Sequence, residues 1–113
     1  MHEFKIIADI FPLLEKVAAA NHLQKITRVN LAVGDLRQCQ RDFLEFAFQT
    51  LAQGSIAATA KLQIEAIPIK MHCRFCNHAF VVAENCFVCP KCQATALDVL
   101  TGKEIMLVSI EGE

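Results

Sequence analysis

Tryptophan and tyrosine are absent from this 113-residue chain, which also holds only four glycines and three prolines. No internal repeat or low-complexity segment appears, and 54% hydrophobic against 20% charged residues is a globular balance rather than a disordered one. An excess of one charge sign is missing too. Eleven Lys and Arg face twelve Asp and Glu, for a formal net charge of −1, and the basic residues are scattered. The chain therefore lacks the electrostatic footprint of a nucleic-acid binder. No apolar run approaches the roughly eighteen residues that a membrane span needs, so no membrane insertion is expected. The start has no basic stretch and no small-residue cleavage site, and Asp9 interrupts its apolar run, so no signal peptide is expected. These absences point to a reducing cytoplasm. There, six cysteines are better explained as metal ligands than as a disulfide framework.

Hydrophobic periodicity sets out the elements. Residues 4–20 read as a helix, with Phe4, Ile7, Phe11, Leu14 and Ala18 on one face and Ile6, Ile10, Leu13 and Val17 beside them. Pro12 implies either a kink or a separate preceding turn. His22, at the end of this helix, is expected to be a capping or surface residue. Residues 26–33 alternate as a half-buried strand, with Val29, Leu31 and Val33 on the inner face. Asp42 and Glu45 resemble a capping box opening a second helix, whose core face is Phe43, Leu44, Ala47, Phe48 and Leu51, with Gly54 as its stop. Residues 61–71 read as a strand that changes phase near Ala66, where Pro68 favours an edge or a bulge. Residues 104–110 read as a last strand, with Ile105, Leu107 and Ser109 opposed to Met106, Val108 and Ile110. The expected fold is α+β: a small mixed three-stranded sheet with two helices, and a zinc-ribbon-like module inserted before the last strand.

The strongest chemical signal lies in that insert. Cys73-Arg74-Phe75-Cys76 is followed, after residues 77–88, by Cys89-Pro90-Lys91-Cys92. Two Cys-x-x-Cys pairs at this separation form a tetrathiolate metal signature, and thiolate is the soft ligand preferred by zinc or by the iron of a rubredoxin-type centre. Cys73, Cys76, Cys89 and Cys92 are the candidate zinc ligands. The alternative set brings in Cys86, through Cys86-Phe87-Val88-Cys89. Outside the set, Cys86 reads as a small buried hydrophobe, and Cys39 reads as a core or surface thiol. A closed four-sulfur zinc site is structural, with no open position for water. His72 and His78 flank the first pair as solvated or outer residues, with exchange for a sulfur as the alternative. Two functions remain open on the cassette alone: a zinc-ribbon module binding nucleic acid or protein, and a rubredoxin-like iron electron-transfer protein.

The opening Met1-His2-Glu3 carries a different chemistry. The terminal amine, the His2 amide and the His2 imidazole can enclose one cation in fused small chelate rings. Nitrogen-rich, square-planar geometry suits nickel(II) or copper(II). From its residues alone, a histidine at this position is more often an ordinary surface residue.

Several stretches taken together change that balance. Met1-His2-Glu3, the long first helix, Ile26-Thr27-Arg28-Val29-Asn30-Leu31 leading to Gly34, Gly54-Ser55, the Cys73/Cys76 and Cys89/Cys92 cassette and Ser109-Ile110-Glu111 occur in this order. In this order they resemble the HypA/HybF hydrogenase maturation proteins across essentially the whole chain. The resemblance implies a non-enzymatic nickel metallochaperone that helps deliver Ni(II) to [NiFe]-hydrogenase, and in some organisms to urease. It implies nickel at Met1, His2 and Glu3, and zinc at Cys73, Cys76, Cys89 and Cys92. The implied partners are the maturation GTPase HypB and the hydrogenase large subunit. The implied domains are 1–70 with 99–113 for nickel and 71–98 for zinc. Some members of the family add an acidic nickel ligand from the loop after the first strand, where this chain has Asp35 and Asp42.

Overall fold

The computed structural model describes residues 3–113. Its elements are α1 (Glu3–Ala20), β1 (Ile26–Gly34), a 3-10 turn (Asp35–Arg37), α2 (Arg41–Ala52), β2 (Lys61–Ile67), β3 (Lys70–Cys73), β4 (Ala79–Val81), β5 (Leu97–Thr101) and β6 (Ile105–Gly112). They form an α+β fold of two helices and two three-stranded sheets, ordered β2-β1-β6 and β4-β3-β5. The chain divides into two units. One takes the described residues up to Ala32 with Cys39–Glu65 and Met106–Glu113, and the other takes Val33–Gln38 with Ala66–Ile105.

The first unit is built on the apolar face of α1. Ile7, Leu14 and Ala18 are buried with Ile26, Val29 and Leu31 of β1, Ile64 of β2, and Leu44, Ala47 and Phe48 of α2. The Phe11 and Phe48 rings lie 5.6 Å apart at their centroids, joining the two helices through one aromatic pair. α1 runs unbroken through Pro12. The carbonyl that loses its donor there belongs to Ala8, which is exposed, so water can take it. α1 ends in a Schellman motif: Leu23 N–H bonds the Ala18 carbonyl at 2.9 Å and His22 N–H bonds that of Ala19 at 3.2 Å. His22 occupies the left-handed position (φ 57°) that glycine commonly fills.

Four sequence expectations are corrected here. α2 starts two residues earlier than the Asp42–Glu45 box implied; its N-cap is Gln40, and no side chain caps it. Phe43 and Leu51 stand on the exposed side of α2, and Ala52 takes the buried place, because the apolar stripe follows Leu44, Ala47 and Phe48. Phe4 and Leu13 are exposed as well. Finally, 61–71 is not one bulged strand. Pro68 cannot donate to a ladder, and the chain leaves one sheet at Ile67 to enter the other at Lys70.

In the second unit, β3 pairs antiparallel with β4 (Met71 with Phe80) and with β5 (Met71 with Val99). The turn after β5 is held by a carboxylate: Gly102 N–H donates to Glu104 Oε1 at 2.6 Å. That bond is the main reason the Glu104 carboxyl lies below its ordinary range. Gly102 has φ +117°, and a Cβ there would stand 2.9 Å from Ile69 Cα. A Cβ on Gly34 would collide with the Gly102 carbonyl. The backbones meet there: Gly34 N–H donates to the Glu104 carbonyl and Leu36 N–H to that of Gly102.

Candidate metal centre

Two short turns built alike bring the four sulfurs together. In the first, Asn77 N–H donates to the Cys73 carbonyl at 2.9 Å, and Cys73 N–H donates to the His78 carbonyl at 2.8 Å. In the second, Gln93 N–H donates to the Cys89 carbonyl at 2.8 Å, and Cys89 N–H donates to the Ala94 carbonyl at 3.0 Å. The residue after each second cysteine is left-handed, Asn77 at φ 63° and Gln93 at φ 64°. The first turn is anchored on the sheet, since Cys73 ends β3 opposite Leu97 and Arg74 N–H donates to the Ala96 carbonyl. Arg74 also meets Asp98 across an exposed 3.4 Å ion pair, which adds little stability by itself.

The Sγ atoms of Cys73, Cys76, Cys89 and Cys92 all lie within 4.8 Å of one another. The closest pairs cross between the turns, Cys73 to Cys92 and Cys76 to Cys89, each at 3.6 Å. A tetrahedral ion with metal–sulfur bonds of about 2.3 Å has sulfur–sulfur edges of about 3.8 Å. The residues therefore fit a four-coordinate thiolate metal. Cys73 and Cys89 are buried, Cys76 is half-buried and Cys92 is exposed.

The electrostatics are those of thiols crowded onto one ion's place. The Cys76 and Phe75 N–H groups point at Cys73 and hold its thiol below the ordinary range, against the opposing effect of burial. At Cys89, burial raises the pKa, but N–H groups of Cys92 and Lys91 outweigh it and bring the thiol down to about 7. Cys92 has the Ala94 N–H in its favour, yet burial and the three neighbouring sulfurs push it up to about 12. The protons thus leave in steps, and the last is held by the charge of the earlier thiolates. A divalent cation removes that repulsion.

Other sequence candidates fall elsewhere. Cys86 is exposed, not the buried hydrophobe expected, and the four-sulfur group does not include it. His72 lies half-buried in β3, and the half-buried His78 ring stacks on Phe80 at 5.9 Å; neither belongs to the group. Cys39 is half-buried in the first unit. Met1 and His2 lie outside the described residues. Glu3 is the first residue of α1, buried, with its Oε2 accepting the Gln40 N–H at 3.3 Å. Asp35 opens the 3-10 turn and Asp42 sits in the first turn of α2, both exposed. The residues that sequence reasoning passed over are Asn77 and Gln93, whose signal was their place directly after each Cys-x-x-Cys.

Residues 1–112 match the family model described as hydrogenase/urease nickel incorporation metallochaperone, HypA. The hydrogenase maturation factor HypA of Desulfitobacterium hafniense is 38% identical over 113 residues, covering all of this chain and 99% of that one. The Shewanella baltica protein of the same name is 35% identical over 113 residues, covering all of this chain and 97% of its own. The solution structure of the nickel metallochaperone HypA from Helicobacter pylori superposes with a TM-score of 0.73 at 29% identity, covering 99% of this chain and 97% of that one. On fold, four-sulfur cluster and full-length similarity together, the chain belongs to the HypA family of hydrogenase and urease nickel-incorporation metallochaperones.

Proposed function

We propose that this chain is a non-enzymatic nickel carrier of the reducing cytoplasm, loading Ni(II) at Met1, His2 and Glu3 for hydrogenase maturation. The observation that carries this reading is the family match over residues 1–112, which includes the amine, amide and imidazole of Met1-His2. Those three nitrogens form fused chelate rings of the kind nickel(II) favours. Glu3 takes part from the first turn of α1. Its carboxylate accepts the Gln40 N–H, which ties the start of α1 to the residue before α2. Binding couples to protons. The amine and imidazole titrate near 8 and 6.5 in ordinary surroundings, so nickel affinity falls as pH drops through that range. Release then follows when a recipient competes for His2 or when the imidazole is protonated. The receiving proteins in this reading are the GTPase HypB and the large subunit of [NiFe]-hydrogenase, with urease a second destination.

Zinc is the proposed resident metal of Cys73, Cys76, Cys89 and Cys92, where it neutralises the thiolates and fixes the two turns. Four sulfurs close the coordination sphere, so the metal has no catalytic position. Iron at the same sulfurs would colour the protein, whereas zinc is silent. A colourless protein with one zinc per chain is expected on purification. The nickel site has its own test. One extra residue before Met1 displaces the amine from its chelate ring. Calorimetric titration should then show nickel affinity reduced about a hundredfold or more, with zinc content unchanged. Equal affinity with and without the extension would move nickel to another site.

A further inference from the structure

The two helices of the first unit leave an apolar groove open to solvent. On α1, Phe4, Ala8, Phe11 and Glu15 follow one another at helical spacing, a stripe about 16 Å long. Phe4 is 40% exposed, Ala8 is exposed and Phe11 is half-buried. On α2, Phe46 stands beside this stripe with Phe43 one turn before it, and they are 62% and 41% exposed. The Phe4 and Phe46 rings meet edge-on at 6.0 Å between centroids, so the aromatic surface continues from one helix to the other. Three open rings gathered in this way differ from the single apolar residues scattered over an ordinary surface.

The stripe runs into a cavity. At its Phe11–Glu15 end, about 440 Å³ opens against residues 54–57, walled by Phe11, Leu14, Leu23, Ile26 and Ile56. A pocket of that size accepts a large apolar side chain as an anchor. The Ser55 hydroxyl in its wall is already satisfied, donating to the Ala52 carbonyl at 2.7 Å and accepting the Ala57 N–H at 3.0 Å. Glu15 is the one charged residue of that wall. Asp42 lies four residues before Phe46, on the next turn of α2. Neither acid forms an ion pair among the described residues. Of the nearby cations, Lys5 is engaged by Asp9 at 3.4 Å, and Lys16 is turned about 100° from Glu15 around the α1 axis.

We infer that this groove seats an amphipathic helix of a partner protein, apolar on one face and bordered by lysine or arginine. Three turns of such a helix match the stripe, with one anchor against Phe4 and Phe46 and another in the cavity. Ala8, small and exposed between them, lets the partner's backbone come close. The partner's cations then meet Asp42 and Glu15. A second copy of this chain is the wrong occupant, because it brings the same two acids to a surface that already carries them. The groove lies wholly on the first unit, so docking does not depend on nickel or on a metal at the four sulfurs.

Amide-resolved NMR of the full-length, nickel-free chain tests the docking. The probe is a leucine–lysine peptide of about fourteen residues in helical periodicity, with its leucine–glutamate counterpart as control. Saturable shifts are expected in residues 4–19 and 42–57, with residues 70–101 unmoved. The glutamate peptide should bind at least about tenfold more weakly. Phe46→Ser should raise the dissociation constant of the lysine peptide about tenfold, and Glu15→Lys about threefold. If Phe46→Ser loses helical signal, the exposed Glu15 decides alone. Docking is overturned by an absence of saturable binding, by equal affinity for both peptides, or by affinity unchanged in either folded variant. Shifts confined to the cavity wall would overturn it by marking a small-ligand site. Shifts of the same amides on concentrating the chain without peptide would assign the groove to a second copy instead.

Discussion

At the residue scale the cluster behaves as one titrating group, and its pH dependence has a definite sign. In the metal-free protein, Cys89 is lowered to about 7 while Cys92 is raised to about 12. For Cys89, whose folded value is depressed, the stabilising effect is present above the ordinary thiol range and is lost as pH falls through about 7. For Cys92 the order reverses: its effect is complete below the ordinary range and is lost as pH rises through about 12. Thiolate ultraviolet absorbance of the metal-free chain should thus begin to rise near neutrality and be incomplete in strong alkali. Cys89→Ser should remove the earliest step. A single transition near the ordinary thiol value, unchanged in Cys89→Ser, would contradict this ordering. That Cys73, Cys76, Cys89 and Cys92 come together was legible from spacing alone. The left-handed backbone at Asn77 and Gln93 was marked only by their place after each Cys-x-x-Cys, since neither is the glycine that such a position favours.

At the element scale, sequence pattern and structure agree where one surface decides the outcome, and they part where two compete. Both helices and β1 follow their periodicity because each buries one stripe against the same core. The α2 cap departs from the Asp42–Glu45 reading because no side chain caps that end at all. The 61–71 stretch alternates apolar and polar residues with one change of phase near Ala66, so periodicity alone does not show that Pro68 divides it between two sheets. The end of α1 supplies a prediction. His22 holds a left-handed Schellman position without the freedom of glycine, so His22→Gly should stabilise the protein. The gain should be about 0.5–1 kcal/mol in chemical denaturation, with no change in zinc content. Lower stability in His22→Gly would mean the exposed imidazole makes a contribution that outweighs the backbone cost.

At the scale of the whole molecule, the two units depend on different forces. The first holds both helices and most of the large buried side chains, including Ile7, Leu14, Ile26, Leu31 and Leu44. The second has short strands, and its fully buried side chains are Cys73 and Cys89 of the four-sulfur cluster. A metal held by the four sulfurs, as proposed, would therefore supply much of its order, as in other small thiolate modules. Removing zinc with a strong chelator should leave the helical circular-dichroism signal nearly intact. Amide protection between residues 70 and 101 should collapse over the same titration. Loss of helix in step with zinc would show instead that the first unit requires the metal. No helix among the described residues is long and apolar enough to cross a membrane.

The central claim is that nickel travels at the start of the chain while the four cysteines hold a separate metal. Nickel titration of untagged wild type beside His2→Ala, with zinc measured in both, tests it most directly. The predicted result is one nickel site in wild type, affinity reduced at least about a hundredfold in His2→Ala, and equal zinc content. Nickel bound equally well by His2→Ala, or lost together with zinc, would contradict it.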